Sequence, residues 1–463
     1  MTSSTPSKRN IVIVGGGFAG TTLARALHER LPDGYEMLLI SEESYTTFNP
    51  MLPEAVGASV FPEQVIVPIR AMLSKTHGRF IMGVVTAVDP QRKVLTCNTL
   101  AGISTIPYAH LVLAFGNRAR LDLLPGMMEH SLPLKTVGAS MQIRNKVLRC
   151  MARIELEARP VVRQKFGHFV VIGGGFSGVE VAGALVDCLH SIRRFFKGVQ
   201  AEDLKVTLLH SGDYLLPELS PKLGEAALVS LLERGVDVRL RVAATSIHED
   251  RLELISGESL STSTVISTIG TQPNKLVERL VEHLGIKTDR GRIVTEADLS
   301  LPGQHQLWAM GDCALIPNAW NQQPAPPTAQ FAVREARHLA NNLVARIKGE
   351  ATLPFRCKPV GMMAAVGHLK GVALVMGIHL TGLPAWLLWR GYYLSQMPTL
   401  GRKLRIFGEW VWGMFFPHDI THFRFTKSSE MQSLEQSLLP LEIQEELVAQ
   451  VEMVAVPEAV HAG

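Results

Sequence analysis

One pattern of apolar and polar positions occurs twice along this chain. A β-branched run, Ile11–Val14, ends in a glycine cluster and gives way to a stretch of helical character. The same succession returns from Val170, as VVIGGGFSGVE. Each copy predicts a strand, a tight turn and a helix. Each also carries G-x-G-x-x-G, at Gly15, Gly17 and Gly20 and again at Gly173, Gly175 and Gly178. The spacing has a physical reason. The first glycine turns the chain out of the strand, the second lets the backbone approach a pyrophosphate, and the third lets the helix pack closely on the strand. Gly16, Phe18 and Ala19 complete the first turn and are candidate cofactor contacts. A lone copy is weak evidence, since glycine turns that bind nothing look the same. Two copies about one domain apart predict an α/β protein with two Rossmann-like dinucleotide-binding domains.

A second strand is expected after each repeat. The first is Glu36–Ile40, followed by Ser41, Glu42 and Glu43. A carboxylate in this region usually takes the ribose hydroxyls. Glu42 fits, although Ser41 holds the more usual place and a solvated loop glutamate is the alternative. The other strand is Lys205–His210, followed by Ser211, Gly212 and Asp213. No acid stands at its end, and His210 with Ser211 leaves a 2′-phosphate, and so NADPH, admissible.

Residues 371–389 are strongly apolar, but Gly377, His379, Gly382 and Pro384 interrupt them. The pattern predicts a strand, then a helix starting near Pro384, rather than a span of the roughly 20 apolar residues that a membrane crossing needs. From there Trp386, Leu387, Trp389, Tyr392 and Tyr393 are expected to form one aromatic face, followed by Arg402, Lys403 and Arg405 among further aromatics. Rings beside cations suit a helix lying in the headgroup region, with a protein core or a dimer interface as the alternative.

Composition narrows the class. A chain of 463 residues with 46% hydrophobic and 19% charged residues is globular and long enough for two or three domains. The net charge of +4, without any Lys/Arg-rich run, argues against nucleic acid as a partner. Five scattered cysteines form no C-x-x-C pair, which disfavours a zinc site or a thiol redox pair and fits a reducing compartment. The polar start reads as cytoplasmic, without an export signal.

Taken in order, the two repeats, Ser267–Asn274 (STIGTQPN) and Leu307–Ala314 (LWAMGDCA) resemble the two-dinucleotide flavoprotein reductases. The segment Leu111–Ala119, with Gly116, is similar to that family's first crossing between domains, and STIGTQPN, with Gly270, to its second. The resemblance implies FAD, with Gly311 and Asp312 near the flavin's ribityl–pyrophosphate portion. Within this group the chain resembles the type II NADH dehydrogenases, on Ser44–Ala58, Pro326–Ala336 and Leu380–Gly413.

That likeness implies a non-pumping transfer of two electrons from NAD(P)H through FAD to a membrane quinone. It places Glu180 at the nicotinamide–flavin junction, and Ala329 and Gln330 by the flavin ring and quinone head. A carboxylate favoured by a helix N-terminus and an ordinary helix-start residue are the bland readings of Glu180 and Gln330. Residue by residue, two positions depart from the family: Arg334 replaces a usual glutamine, and His210 replaces the NAD-side acid. The likeness further implies peripheral attachment to the cytoplasmic face of the inner membrane, and a homodimer is possible.

The expected FAD domain comprises 1–125 and 295–360, the NAD(P)H domain 126–294, a membrane-associating region 361–425 and an acidic tail 426–463. Two other functions remain open. A sulfide:quinone oxidoreductase would need cysteines on the flavin face, which Cys150 and Cys357 bring to mind. A NAD(P)H-sensing flavoprotein acting through a protein partner has only the acidic tail in its favour.

Overall fold

Both glycine repeats fold as strand, turn and helix. In the computed structural model, which describes residues 9–423 except 75 and 77, the first strand is Arg9–Val14 and its helix Phe18–His28; the second pair is His168–Ile172 and Phe176–Ile192. The strand expected at Glu36–Ile40 runs Tyr35–Ser41, and Lys205–His210 has the expected bounds.

Each first strand sits inside its own sheet. Arg9–Val14 pairs in parallel with Tyr35–Ser41 on one side, with Val12 opposite Leu38, and with His110–Leu113 on the other. Gln304–Ala309 extends that sheet beyond His110–Leu113, and an antiparallel meander, Arg79–Asp89, Val94–Thr99 and Gly102–Pro107, closes its other side. The second sheet is wholly parallel, in the order Ser131–Pro133, Thr264–Ser267, His168–Ile172, Lys205–His210, Val236–Leu240. The central strands bury nearly every side chain, as parallel strands covered on both faces must. The described residues up to Ile420 form one compact unit.

The chain crosses between the sheets twice, at the places the sequence indicates. Asn117–Ala119 on the way out pairs antiparallel with Thr271–Pro273 on the way back. Two expected boundaries shift. Leu276, Val277 and Leu280, from the helix Lys275–Leu284, pack in the first core, so the return occurs near Pro273 and not at 295. Residues 361–381 form a three-stranded antiparallel sheet whose Ala364, Val366 and Val372 join the second core. They are therefore part of the folded body. The cause in both cases is tertiary: these apolar positions find partners on a core formed by distant segments.

A helix does start near Pro384, running Leu383–Gln396, and a second runs Leu400–Trp412. Among the described residues no helix is long and apolar enough to cross a membrane. The aromatic face expected to lie in headgroups is instead turned inward. Trp386, Trp389 and Trp410 are buried, and Trp412 alone of the four tryptophans in this stretch is exposed. The exposed side carries Leu383, Leu387, Leu400, Leu404 and Phe407, followed by Phe415 and Phe416. The acidic stretch after residue 425 lies outside the described residues.

Candidate functional site

Both glycine turns open into one cleft of about 2170 Å³. At the first, Gly15 has φ +120° and any Cβ would strike the Ala114 carbonyl. Gly173 is its counterpart in the second, with φ +114°. Gly20 and Gly178 pack against the carbonyls of Gly15 and Gly173, leaving no room for a side chain. Neither following helix has an acidic residue in its first turn or a side-chain cap, so its first N–H groups point toward the cleft without a built-in acceptor. Such a terminus suits a phosphate. Around Gly17 and Gly116 a Cβ would meet nothing, so the wall is open where a ligand must come close. The residues therefore fit a dinucleotide.

The other expected contacts gather around the first turn. Gly16, Phe18, Ala19 and Glu42 line the cleft, and Glu42 lies 3.3 Å from Arg118 of the outgoing crossing. Gly311 and Asp312 line it as well, in a short helical turn. Gly270 shapes the returning crossing, where a Cβ would hit Leu123, and is not itself a lining residue.

Two residues without a sequence signal complete this corner. Glu335, almost wholly buried, accepts the Gly311 N–H at 2.8 Å and so fixes the turn; burial pushes its carboxyl up to about 7. Lys135 lines the cleft, donates to Asn117 Oδ1 at 2.6 Å and is the main cationic neighbour of Asp312. Burial lowers the Lys135 ammonium and raises the Asp312 carboxyl. The half-buried pair thus faces the cleft.

Opposite the first turn, the helix Ala329–Lys348 begins with Thr328 as its N-cap, accepting from Phe331 N. Ala329, Gln330 and Arg334 all line the cleft. The Arg334 guanidinium is held from behind, 3.2 Å from Cys357 Sγ and 3.3 Å from the Lys358 carbonyl.

Glu180 also lines the cleft, but it is buried and far from alone. Its Oε1 accepts from Ala365 N at 3.1 Å and from Trp389 Nε1 at 3.0 Å. Burial raises its carboxyl to about 8, against the pull of those two donors. Beside it, Glu54 accepts from Trp410 Nε1 at 2.6 Å and from Arg390 at 3.3 Å. The Arg390 guanidinium is sandwiched between the rings of Trp386 and Trp410, at 4.0 and 4.4 Å from their centroids. The buried tryptophans thereby bind the two C-terminal helices to the wall of the cleft.

Residues 9–336 match the pyridine nucleotide-disulphide oxidoreductases. The chain belongs to this family. A type II NADH:quinone oxidoreductase of Mycobacterium tuberculosis is 26% identical over 427 residues, covering 89% of each chain. Another, of Staphylococcus aureus, is 28% identical over 386 residues, 82% of this chain and 92% of that one. The solved structure of NDH2 from Plasmodium falciparum in complex with NADH superposes with a TM-score of 0.83 at 18% identity, over 89% of this chain and all of that one. That last likeness establishes the shared fold.

The family name speaks of disulphides, and here the cleft differs. All five cysteines are free and buried, and none is among the residues lining it.

Proposed function

We propose that this oxidoreductase is a type II NADH:quinone oxidoreductase, taking electrons from NADH through FAD to a membrane quinone. The observation that carries the reading is the single cleft that joins both dinucleotide turns to Gln330 and to Tyr392, Tyr393 and Gln396 of the helix Leu383–Gln396. A donor entering over the second turn and an acceptor entering by the C-terminal helices meet there. Relatives named for this reaction, matched along most of their length, support it. A cleft with no cysteine among its lining residues supports an acceptor from outside the chain, which disfavours sulfide chemistry as well as an internal disulfide.

The roles follow from position. The first glycine turn and its helix hold the FAD pyrophosphate, and Glu42 accepts from the ribose hydroxyls. FAD, when bound, supplies the acceptor for hydride and the later donor of two electrons. Gly173, Gly175 and Gly178 hold the pyrophosphate of NADH. Gln330 donates an amide hydrogen to a quinone carbonyl, which a carboxylate cannot do. Net reduction of a quinone by NADH consumes one proton. Glu180, whose carboxyl is raised to about 8, holds a proton near neutral pH; with both donors on Oε1, the proton rests on Oε2.

The exposed apolar side of the last two helices suits peripheral attachment to a bilayer, where quinones reside. Steady-state assays test the reading. NADH oxidation should be coupled one to one with reduction of ubiquinone or menaquinone analogues. Turnover with sulfide in place of NADH would reject it.

A further inference from the structure

Resting on that reading, we propose that the donor site also accepts NADPH, through His210 and Arg241 at the ribose position. In a Rossmann unit the end of the second strand faces the adenine ribose. A carboxylate there binds the 2′-hydroxyl and repels a 2′-phosphate, whereas a nearby arginine accommodates it. Here the second strand, Lys205–His210, lies beside the first, His168–Ile172, and ends without an acid.

The geometry at that end presents donors. The Gly174 N–H points at His210 Nδ1, 3.2 Å away, so Nδ1 accepts and Nε2 carries the hydrogen. A Cβ on Gly212 would lie 2.7 Å from Nε2, so the glycine at this position leaves that face of the imidazole uncovered by a side chain. Ser211 is exposed next to it.

Arg241 is brought to the same loop from the neighbouring strand's end. Its N–H donates to the Gly212 carbonyl at 3.1 Å, and Val242 N donates to the His210 carbonyl at 3.0 Å. Its guanidinium meets Asp213 at 2.8 Å, with both side chains about three-quarters exposed (77% and 73%). An ion pair that open to solvent is weak, and either partner can turn to another ligand. Arg241 can therefore exchange the Asp213 carboxylate for a phosphate, while His210 Nε2–H and the Ser211 hydroxyl donate to its remaining oxygens. Glu218 is a further carboxylate of the donor cleft; it stands opposite Gly175, 3.8 Å from where a Cβ would be, on the glycine-turn side.

The test is kcat/KM for NADPH and for NADH with one soluble quinone analogue, in the wild type, His210→Glu and Arg241→Ala. A wild-type NADPH:NADH ratio above about 1:100, lowered at least about tenfold by each variant, is expected, since a like charge placed against the phosphate or a lost cation selects against NADPH. A wild-type ratio below that, or one that either variant leaves unchanged, overturns the proposal. Competition by 2′-phospho-ADP-ribose against ADP-ribose should follow the same order and reads binding alone, and retained flavin shows that each variant is folded. If neither nucleotide supports turnover, the oxidoreductase reading fails; if NADH alone does, only this inference fails.

Discussion

The indole N–H of Trp389 lies 3.0 Å from Oε1 of Glu180, across 209 residues of sequence. One end of this contact is on the second dinucleotide helix and the other on the first of the two C-terminal helices. The group expected to hold a proton in the cleft is therefore tuned by the element that carries the exposed apolar face.

Removing that donor should move the pH profile upward. A hydrogen bond to the carboxylate favours its charged form, so Trp389→Phe raises the Glu180 carboxyl further above its present value of about 8. The alkaline limb of kcat should shift to higher pH in Trp389→Phe and vanish in Glu180→Gln. Stability should respond too. Between the ordinary value of 4.5 and about 8 the folded protein keeps a proton that the unfolded chain has released. The stability tied to this group is full below that window and is lost as pH rises through it. Glu180→Gln should therefore show a shallower fall of the unfolding midpoint across the window than the wild type. Equal slopes would deny that this carboxyl is raised in the folded protein.

Gly15→Val should abolish FAD binding. The backbone there, at φ +120°, is one that a β-branched residue does not adopt, and its side chain would meet the Ala114 carbonyl. Absorbance of the purified variant checks this; full flavin content would place the cofactor elsewhere.

Arg390→Met should cost roughly 3–5 kcal/mol, the usual penalty for leaving one member of a buried ion pair alone. Glu54 would keep the Trp410 N–H but lose its cation, and Trp386 and Trp410 would lose the guanidinium between them. Urea unfolding followed by flavin release measures it.

How far the sequence could be read depends on the range of the interaction. The strands around both glycine turns were legible because β-branched runs, glycine spacing and helix starts are local. The helix start expected at Gln330 is local as well, and the helix Ala329–Lys348 begins one residue before it. The inward turn of Trp386, Trp389 and Trp410 was not legible. An aromatic stripe looks the same whether it meets lipid or protein, and the partners that decide, Glu180 and Glu54, lie 209 and 356 residues away. Glu335 is another such case: nothing local distinguishes it from a surface helix glutamate, and only its contact with Gly311 N shows its role.

Membrane attachment should depend on the residues that remain outside. Leu404 and Phe407 are exposed on the second C-terminal helix, and each large apolar side chain withdrawn from water contributes roughly 1.5–3 kcal/mol. Replacing both with serine should lower partitioning onto anionic liposomes by at least about tenfold, with soluble-quinone activity retained. A protein that never floats with liposomes but elutes as a dimer would make this face a subunit interface.

The central claim is that electrons pass from NADH to bound flavin and from there to quinone. Anaerobic mixing of the purified protein with NADH, followed by a quinone analogue, tests it most directly. One equivalent of NADH should bleach the oxidised flavin band, and one equivalent of quinone should restore it. A flavin that NADH leaves oxidised, or that stays reduced when quinone is added, would contradict it.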